Sequence, residues 1–328
     1  MKNVYAKLFS LPAAMLFLMG TLSGCSVFDE DQNCAATYQV RFVYDMNMSG
    51  GDGFPSQVSS ISLWVFDHET GDFVAKYSDS GEALSSNSYR MDISDLKPGN
   101  YDFIAWGGLE GSESFSVTSD VTAKEDLKCT MATVTKNGVA TSSDLLTPLF
   151  YGSLDNQEFK DDNGEYLYTV YLMKDTNNIN ISLQHMSEES LLASDFTVYM
   201  VDANGNLNYN NALLPGSQIY YYPWSTGSGE IDMPGEDLNY VRVELSTCRL
   251  MADKNPVITI LDNETGTTVY SIPIVEWAKK LRSMQNLSMT DQDYLDREHE
   301  YTIMLYLTDE ESGWHAANIV INGFEMNE

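Results

Sequence analysis

Four cysteines and four histidines are the side chains best able to do chemistry here, and their spacing restricts what that chemistry can be. His68, His185, His299 and His315 form no H-E-x-x-H and no other close ligand spacing, so no metal site is expected. The chain has no G-x-S-x-G elbow and no phosphate-cradling glycine loop. With 48 Asp and Glu residues, no pair of carboxylates stands out as a glycosidase acid and nucleophile. His68 falls in a turn pattern and His299 in the polar run DREHE (296–300), so both are expected at the surface. Cys248 has strand-like flanks and no protease signature, which predicts a small core residue. The pattern predicts no catalytic residue and no cofactor, and a surface hydrolase is the weakest reading.

Cys25 is different. Lys2 and Lys7 precede an apolar run from Leu8 to Met19, the length of a signal-peptide core and too short to span a bilayer. Leu22-Ser23-Gly24-Cys25 follows and resembles a bacterial lipobox. Its small residues suit a narrow peptidase site, and its sulfur can take a diacylglyceryl group. Cleavage between Gly24 and Cys25 makes residues 1–24 a lipoprotein signal peptide, and acyl chains on Cys25 hold the rest to a membrane. The plain alternative is an ordinary secretory signal with a chance cysteine.

Residues 25–36 (CSVFDEDQNCAA) carry no strand or helix pattern and read as an acidic tether. Asp29, Glu30 and Asp31 resemble the acidic surface-export signal of some Gram-negative lipoproteins, and a solvated linker is the alternative. No Lys or Arg stands between Cys25 and Gln39, so an Arg-specific protease has no site before Arg41. Export permits a disulfide, and Cys34–Cys129 is the pairing we expect, although sequence does not fix the connectivity. The formal charge of −30 excludes nucleic acid as a partner, while 43% hydrophobic residues point to a folded acidic surface and not to disorder.

The elements that must position these residues are mostly strands. Tyr38, Val40, Phe42 and Tyr44 alternate with polar neighbours, as do Ile179, Ile181 and Leu183, and Val241, Val243 and Leu245. SISLWVFD (60–67) is apolar on both faces, as a central strand is. DHETG (67–71) and DNETG (262–266) each join two strand patterns, a weak hint of two related sandwiches or simply the reuse of good turn residues. Helix signals are limited to Val275–Met284 and a short segment capped by Thr290. Short strands at regular spacing predict an all-β fold of sandwiches with a few short helices. The polar run DNQEFKDDNG (155–164) places the boundary between an N-terminal domain, 37–155, and a C-terminal domain, 156–328. Tyr220, Tyr221, Tyr222 and Trp224 are either core or an aromatic platform for a sugar or a partner.

Several longer stretches together resemble one family. QVRFVYDMN (39–47), YDFIAWGGLEG (101–111), LTPLFYGSL (146–154), KDTNNINISLQHMS (174–187), LLPGSQIYYYPWSTGSG (213–229) and WHAANIVINGFEM (314–326) occur in an order similar to FimB-type anchor and accessory subunits of type V fimbriae. The resemblance implies two tandem transthyretin-like β-sandwich domains and a surface-exposed outer-membrane lipoprotein at fimbriae. It also implies stalk or accessory pilin subunits as partners, joined by β-strand complementation. The missing cleavage site before Arg41 departs from polymerising stalk subunits and favours an uncut anchor. Asn318–Phe324 is one candidate docking strand, and an edge of the first domain is the other. A glycan-binding surface lipoprotein is the alternative.

Overall fold

The computed structural model describes residues 36–186, 191–233, 236–285, 287–310 and 313–326. The chain enters through β1 (Thr37–Val43), passes helix α1 (Phe54–Gln57) and continues as β2 (Ser60–Asp67), β3 (Phe73–Ser80), β4 (Met91–Asp92) and β5 (Gly99–Gly107). An excursion forms β6 (Phe115–Val117), β7 (Lys128–Met131), β8 (Val134–Lys136) and β9 (Val139–Ser142). The chain returns as β10 (Phe150–Phe159), β11 (Glu165–Tyr171) and β12 (Met173–Lys174). The second half comprises β13 (Thr176–Met186), β14 (Phe196–Asp202), β15 (Asn206–Asn208), β16 (Ile219–Tyr221), β17 (Ser225–Met233), β18 (Glu236–Cys248), β19 (Val257–Asp262) and β20 (Thr268–Pro273). Helices α2 (Ile274–Met284) and α3 (Asp291–Leu295) precede the closing strands β21 (Glu300–Glu310), β22 (Gly313–Ile321) and β23 (Phe324–Glu325). The fold is mostly β, as expected.

The first sandwich packs the sheet β11-β1-β4 against the sheet β12-β10-β5-β2-β3. Tyr38, Val40 and Phe42 of β1 share one buried core with Leu63, Val65, Phe103, Ala105 and Phe150. The opposite face of the larger sheet is buried too: Trp64, Phe66, Ile104, Trp106 and Tyr151 belong to the core of the second half. Burial on both faces explains why β2 and β5 read as continuous apolar runs. In the second sandwich, β17-β18-β13-β21-β22-β23 faces β20-β19-β14-β16-β9-β8. Ile179, Ile181, Val243, Leu245, Ile303 and Leu305 meet Val198, Met200, Ile258 and Ile260 there, with Trp277 and Leu281 of α2 in the same core.

Chain order and sandwich membership do not coincide. The expected boundary after residue 155 lies inside β10, and β11 beyond it pairs in parallel with β1 over its whole length. Strands β8 and β9, before it, extend a sheet of the second sandwich, and β7 pairs with β15. The two D-x-E-T-G segments form the same turn. Asp67 and Asp262 each accept backbone N–H bonds from the next two residues but one, and Gly71 and Gly266 take positive φ at 75° and 70°. One follows β2, the second strand, and the other follows β19 with four strands still to come, so the repeat reflects turn chemistry and not equivalent positions.

Candidate functional site

The first strand is the part of the described fold next to the expected tether, so it is the natural starting point. β1 is the middle strand of its sheet, held by β11 on one edge and by β4 on the other. The Thr37 N–H donates to the Gly164 carbonyl (3.0 Å), and the Tyr38 hydroxyl donates to the Lys160 carbonyl. Tyr38 stacks on Phe159 at 4.1 Å between ring centroids. Arg41, the first basic residue after the lipobox, is therefore embedded in the strand, with Thr169 opposite on β11 and its guanidinium 3.6 Å from Asp52. Gly24, Cys25, Asp29, Glu30, Asp31 and Cys34 lie outside the described residues.

At the other end of the chain, β22 pairs with β21 along its length and with β23 at only two positions. Asn322 and Gly323, with φ of 47° and 82°, make the tight turn between β22 and β23. Beside this turn, Tyr270, Ala317, Asn318, Glu325 and Met326 line a pocket of about 420 Å³. The Asn318–Phe324 segment is thus folded onto its own sheet.

The aromatic run divides by strand alternation. Tyr221 is fully buried, and its hydroxyl donates to Asn204 Oδ1 at 2.6 Å. Tyr220 and Tyr222 point the other way and pack on Tyr199, at 5.8 and 6.1 Å between centroids, on the outer face of their sheet. Trp224 is 39% exposed further along. The aromatic cluster on this face is Tyr199, Tyr220 and Tyr222, and Tyr199 lies outside the run that the sequence singled out.

Two buried polar clusters were not legible in the sequence. Asp102, on β5, gathers His68 Nδ1 (2.7 Å), Lys124 Nζ (2.9 Å) and the Asn156 N–H (2.8 Å), tying the β2–β3 turn and the β10 bulge to the excursion. Burial opposes its ionisation, but the bonds from Lys124, Asn156 and His68 outweigh that and hold its carboxyl below the usual range. An acid–imidazole pair suggests hydrolase chemistry, yet among the described residues no Ser, Thr or Cys is hydrogen-bonded to His68, and Lys124 makes the cluster an ion-paired clamp.

The second cluster sits at the junction of the sandwiches. Asp175, between β12 and β13, is fully buried and accepts from Asn211 Nδ2 at 3.0 Å. Arg249 Nε lies 3.8 Å from Asp175 and makes a two-pronged pair with Asp296 at 2.8 Å on each prong. Arg297 also reaches across to the Asp45 carbonyl (3.3 Å). His299, expected at the surface, is buried instead. Its ring lies against Tyr44 of the first sandwich, and burial together with Lys174 pushes its pKa down to about 3. The polar run around it misled because the partners that cover it come from residues far away in sequence.

Cys248 is a core residue as expected, with Sγ 3.3 Å from Met131 Sδ. Cys129 is buried on the same strand as Met131, and Cys34, its expected disulfide partner, lies outside the described residues.

Two cores joined through a shared sheet, a first strand between two neighbours and an ion-paired junction define a mostly-β protein built of several packed sheets. The chain belongs to the family of fimbrillin-A associated anchor proteins Mfa1 and Mfa2, whose model matches residues 30–328. Membership places it among non-enzymatic proteins, as expected. A proposed adhesin from Bacteroides thetaiotaomicron is 30% identical, with a TM-score of 0.78 over 88% of this chain and 97% of that one. A proposed polysaccharide-binding protein from the same species is 28% identical, with a TM-score of 0.76 over 89% and 98%. The fimbrial anchor protein Mfa2 from Porphyromonas gingivalis shares the fold at 16% identity, with a TM-score of 0.64 over 90% and 99%. No curated protein matches.

Proposed function

We propose that this protein is a lipid-anchored base for a fimbrium, held in the outer membrane by acyl chains on Cys25 and joined to pilin subunits by strand complementation. The observation that carries this reading is the state of β1. Cutting at Arg41 requires pulling out a strand that pairs with β11 over its whole length, meets β4 at Gln39 and Val40, and buries Tyr38, Val40 and Phe42. The first strand therefore stays, and with it the covalent path from lipid to core. Load then passes through β1 into β11, and through the Asp175–Arg249–Asp296 junction into the second sandwich. The two sandwiches are read as tandem transthyretin-like domains, the acidic cluster Asp29–Asp31 as a surface-export signal, and Cys34–Cys129 as a clamp at the start of the fold. Fimbrial subunits are the partners that the family name supports.

The test compares wild type with Cys25→Ala in the native cell, following fimbriae on cells and in the medium by microscopy and immunoblot. Shedding of fimbriae while the variant is still made is the expected result. Fimbriae that remain attached to cells making only the unlipidated protein overturn the anchor role.

A second reading has one specific observation behind it, the half-buried trio Tyr199, Tyr220 and Tyr222 on the outer face of its sheet. Aromatic faces flanked by hydroxyls stack on sugar rings, and a 28% identical relative is a proposed polysaccharide-binding protein. Specific binding on a glycan array that disappears in Tyr199→Ala and Trp224→Ala supports this reading, and an array with no binding removes it.

A further inference from the structure

Every open sheet has edges, and an exposed edge with free N–H and C=O groups accepts a strand unless something blocks it. Most of the edges here are blocked. β4, β12 and β23 are two residues long, and β6, β8 and β15 three. β3 carries Lys76 and Asp79, β17 has two Gly and two Ser among its nine residues and includes Glu230, and β20 ends in Pro273 and lies against β22.

β11 is different. Its sequence is Glu-Tyr-Leu-Tyr-Thr-Val-Tyr, with strong strand formers throughout and a single charge at the first position. Among the described residues it pairs only with β1. The pairing shows which groups are left over. The Gly164 carbonyl and the Leu172 N–H both bond to β1. Along a strand, successive residues direct their backbone groups to opposite edges, so the even-numbered residues face β1. Glu165, Leu167 and Thr169 then present their N–H and C=O groups to the open side, while the Tyr171 carbonyl is turned to Gly152 of β10, where a Cβ would sit 2.5 Å from it. Leu167 and Tyr171 are also 52% and 55% exposed, and they flank Thr169 on the outward face.

We infer that the outer edge of β11 is the strand-accepting edge of this protein, and that its occupant is an extended, uncharged or basic segment of a different polypeptide. The inference rests on the strand-joining part of the proposed function and names its location. A second copy of this chain is disfavoured as the occupant because two molecules of formal charge −30 repel each other. An uncharged strand edge on such a surface instead suits a segment with apolar residues at alternate positions, able to contact Leu167 and Tyr171. Attachment here also loads β1 directly, because β11 is its hydrogen-bonded neighbour.

The test uses the full-length protein in its native cell, with a photoreactive phenylalanine analogue at position 167 or 171. A crosslink to a fimbrial subunit is expected, mapped by mass spectrometry to an extended segment of that subunit. In parallel, Thr169→Pro removes an outward N–H without breaking a bond to β1, and Leu167→Lys adds a charge beside it. Each is expected to lower the fimbrial subunit co-purified with the protein by at least about tenfold. Thermal unfolding followed by circular dichroism checks that each variant is folded, and Leu167→Lys decides if Thr169→Pro is not. Crosslinks to a second copy or to residues 25–35, or no crosslink at all, overturn the inference. Retention of the subunit by the folded variants overturns it too. If the folded edge variants keep their fimbriae while Cys25→Ala sheds them, the β11 edge is wrong and the anchor reading stands. If neither change releases fimbriae, both fail.

Discussion

Asp102 and Asp175 are both buried carboxylates, and their surroundings shift their protons in opposite directions. Around Asp102 the hydrogen bonds from Lys124, Asn156 and His68 outweigh burial, so its pKa lies below the ordinary value. A depressed carboxylate stabilises the fold above its unfolded pKa and loses that contribution as the pH falls through its folded pKa. Asp102→Asn is therefore expected to cost about 1–3 kcal/mol at neutral pH by urea unfolding, because Lys124 loses its charged partner. The difference from wild type should shrink as the pH drops below the ordinary carboxylate range. Around Asp175 burial dominates, despite Arg249 and Asn211, and raises the pKa to about 7. The folded state then binds more protons than the unfolded chain between the ordinary value of 3.8 and about 7, so this group makes stability fall as the pH rises across that window. Unfolding midpoints of Asp175→Asn should fall less steeply than wild type from pH 4 to pH 7. An unchanged slope refutes the assignment.

At the scale of elements, short-range chemistry accounts for the turns and helix ends. Thr290 Oγ1 accepts from the Asp293 N–H at 3.1 Å, and Asp293 returns a bond to the Thr290 N–H, a reciprocal cap that starts α3. Thr290→Ala should cost about 1 kcal/mol in denaturant unfolding. Gly108 is a more severe constraint. It leaves β5 at φ +84°, and a Cβ there would sit 1.9 Å from the Pro148 carbonyl oxygen. Gly108→Ala combines backbone strain with a clash against main chain that cannot move aside. A loss on the order of 3 kcal/mol is expected by the same measurement, and a change under about 0.5 kcal/mol would show that the segment relaxes freely.

For the whole molecule, the decisive feature is the interleaving of chain and cores. β1 needs β11, which arrives more than a hundred residues later, and the outer face of β2 and β5 packs into a core shared with the second half. A fragment of residues 37–155 lacks β11 and ends inside β10, so it should show no cooperative thermal transition by circular dichroism. A sharp melt would mean that the first sandwich completes itself without its parallel partner. The same pairing makes the intact protein resistant at Arg41. An Arg-specific protease under native conditions should leave the N-terminus before β1 intact, as read by mass spectrometry of the product.

What the sequence by itself determined is local. Strict alternation marked β1, β13 and β18 because a strand buried on one face repeats every two residues. The doubly apolar run marked β2 as central, the D-x-E-T-G segments marked their turns, and Thr290 marked a helix start, because each signal lies within a few residues of what it specifies. The expectation at Cys25 is of the same local kind, since a lipobox is read from the few residues before the cysteine. Tertiary structure decided everything that depends on remote partners. β6 to β9 and β15 are three or four residues long, too short for periodicity to register, and exist only because sheets from elsewhere receive them. His299 is buried because Tyr44 and Lys174 from the first sandwich cover it. The β11 pattern announces a strand, but whether a strand is an edge or a centre depends on how many neighbours reach it. That is a property of the sheet and not of the seven residues.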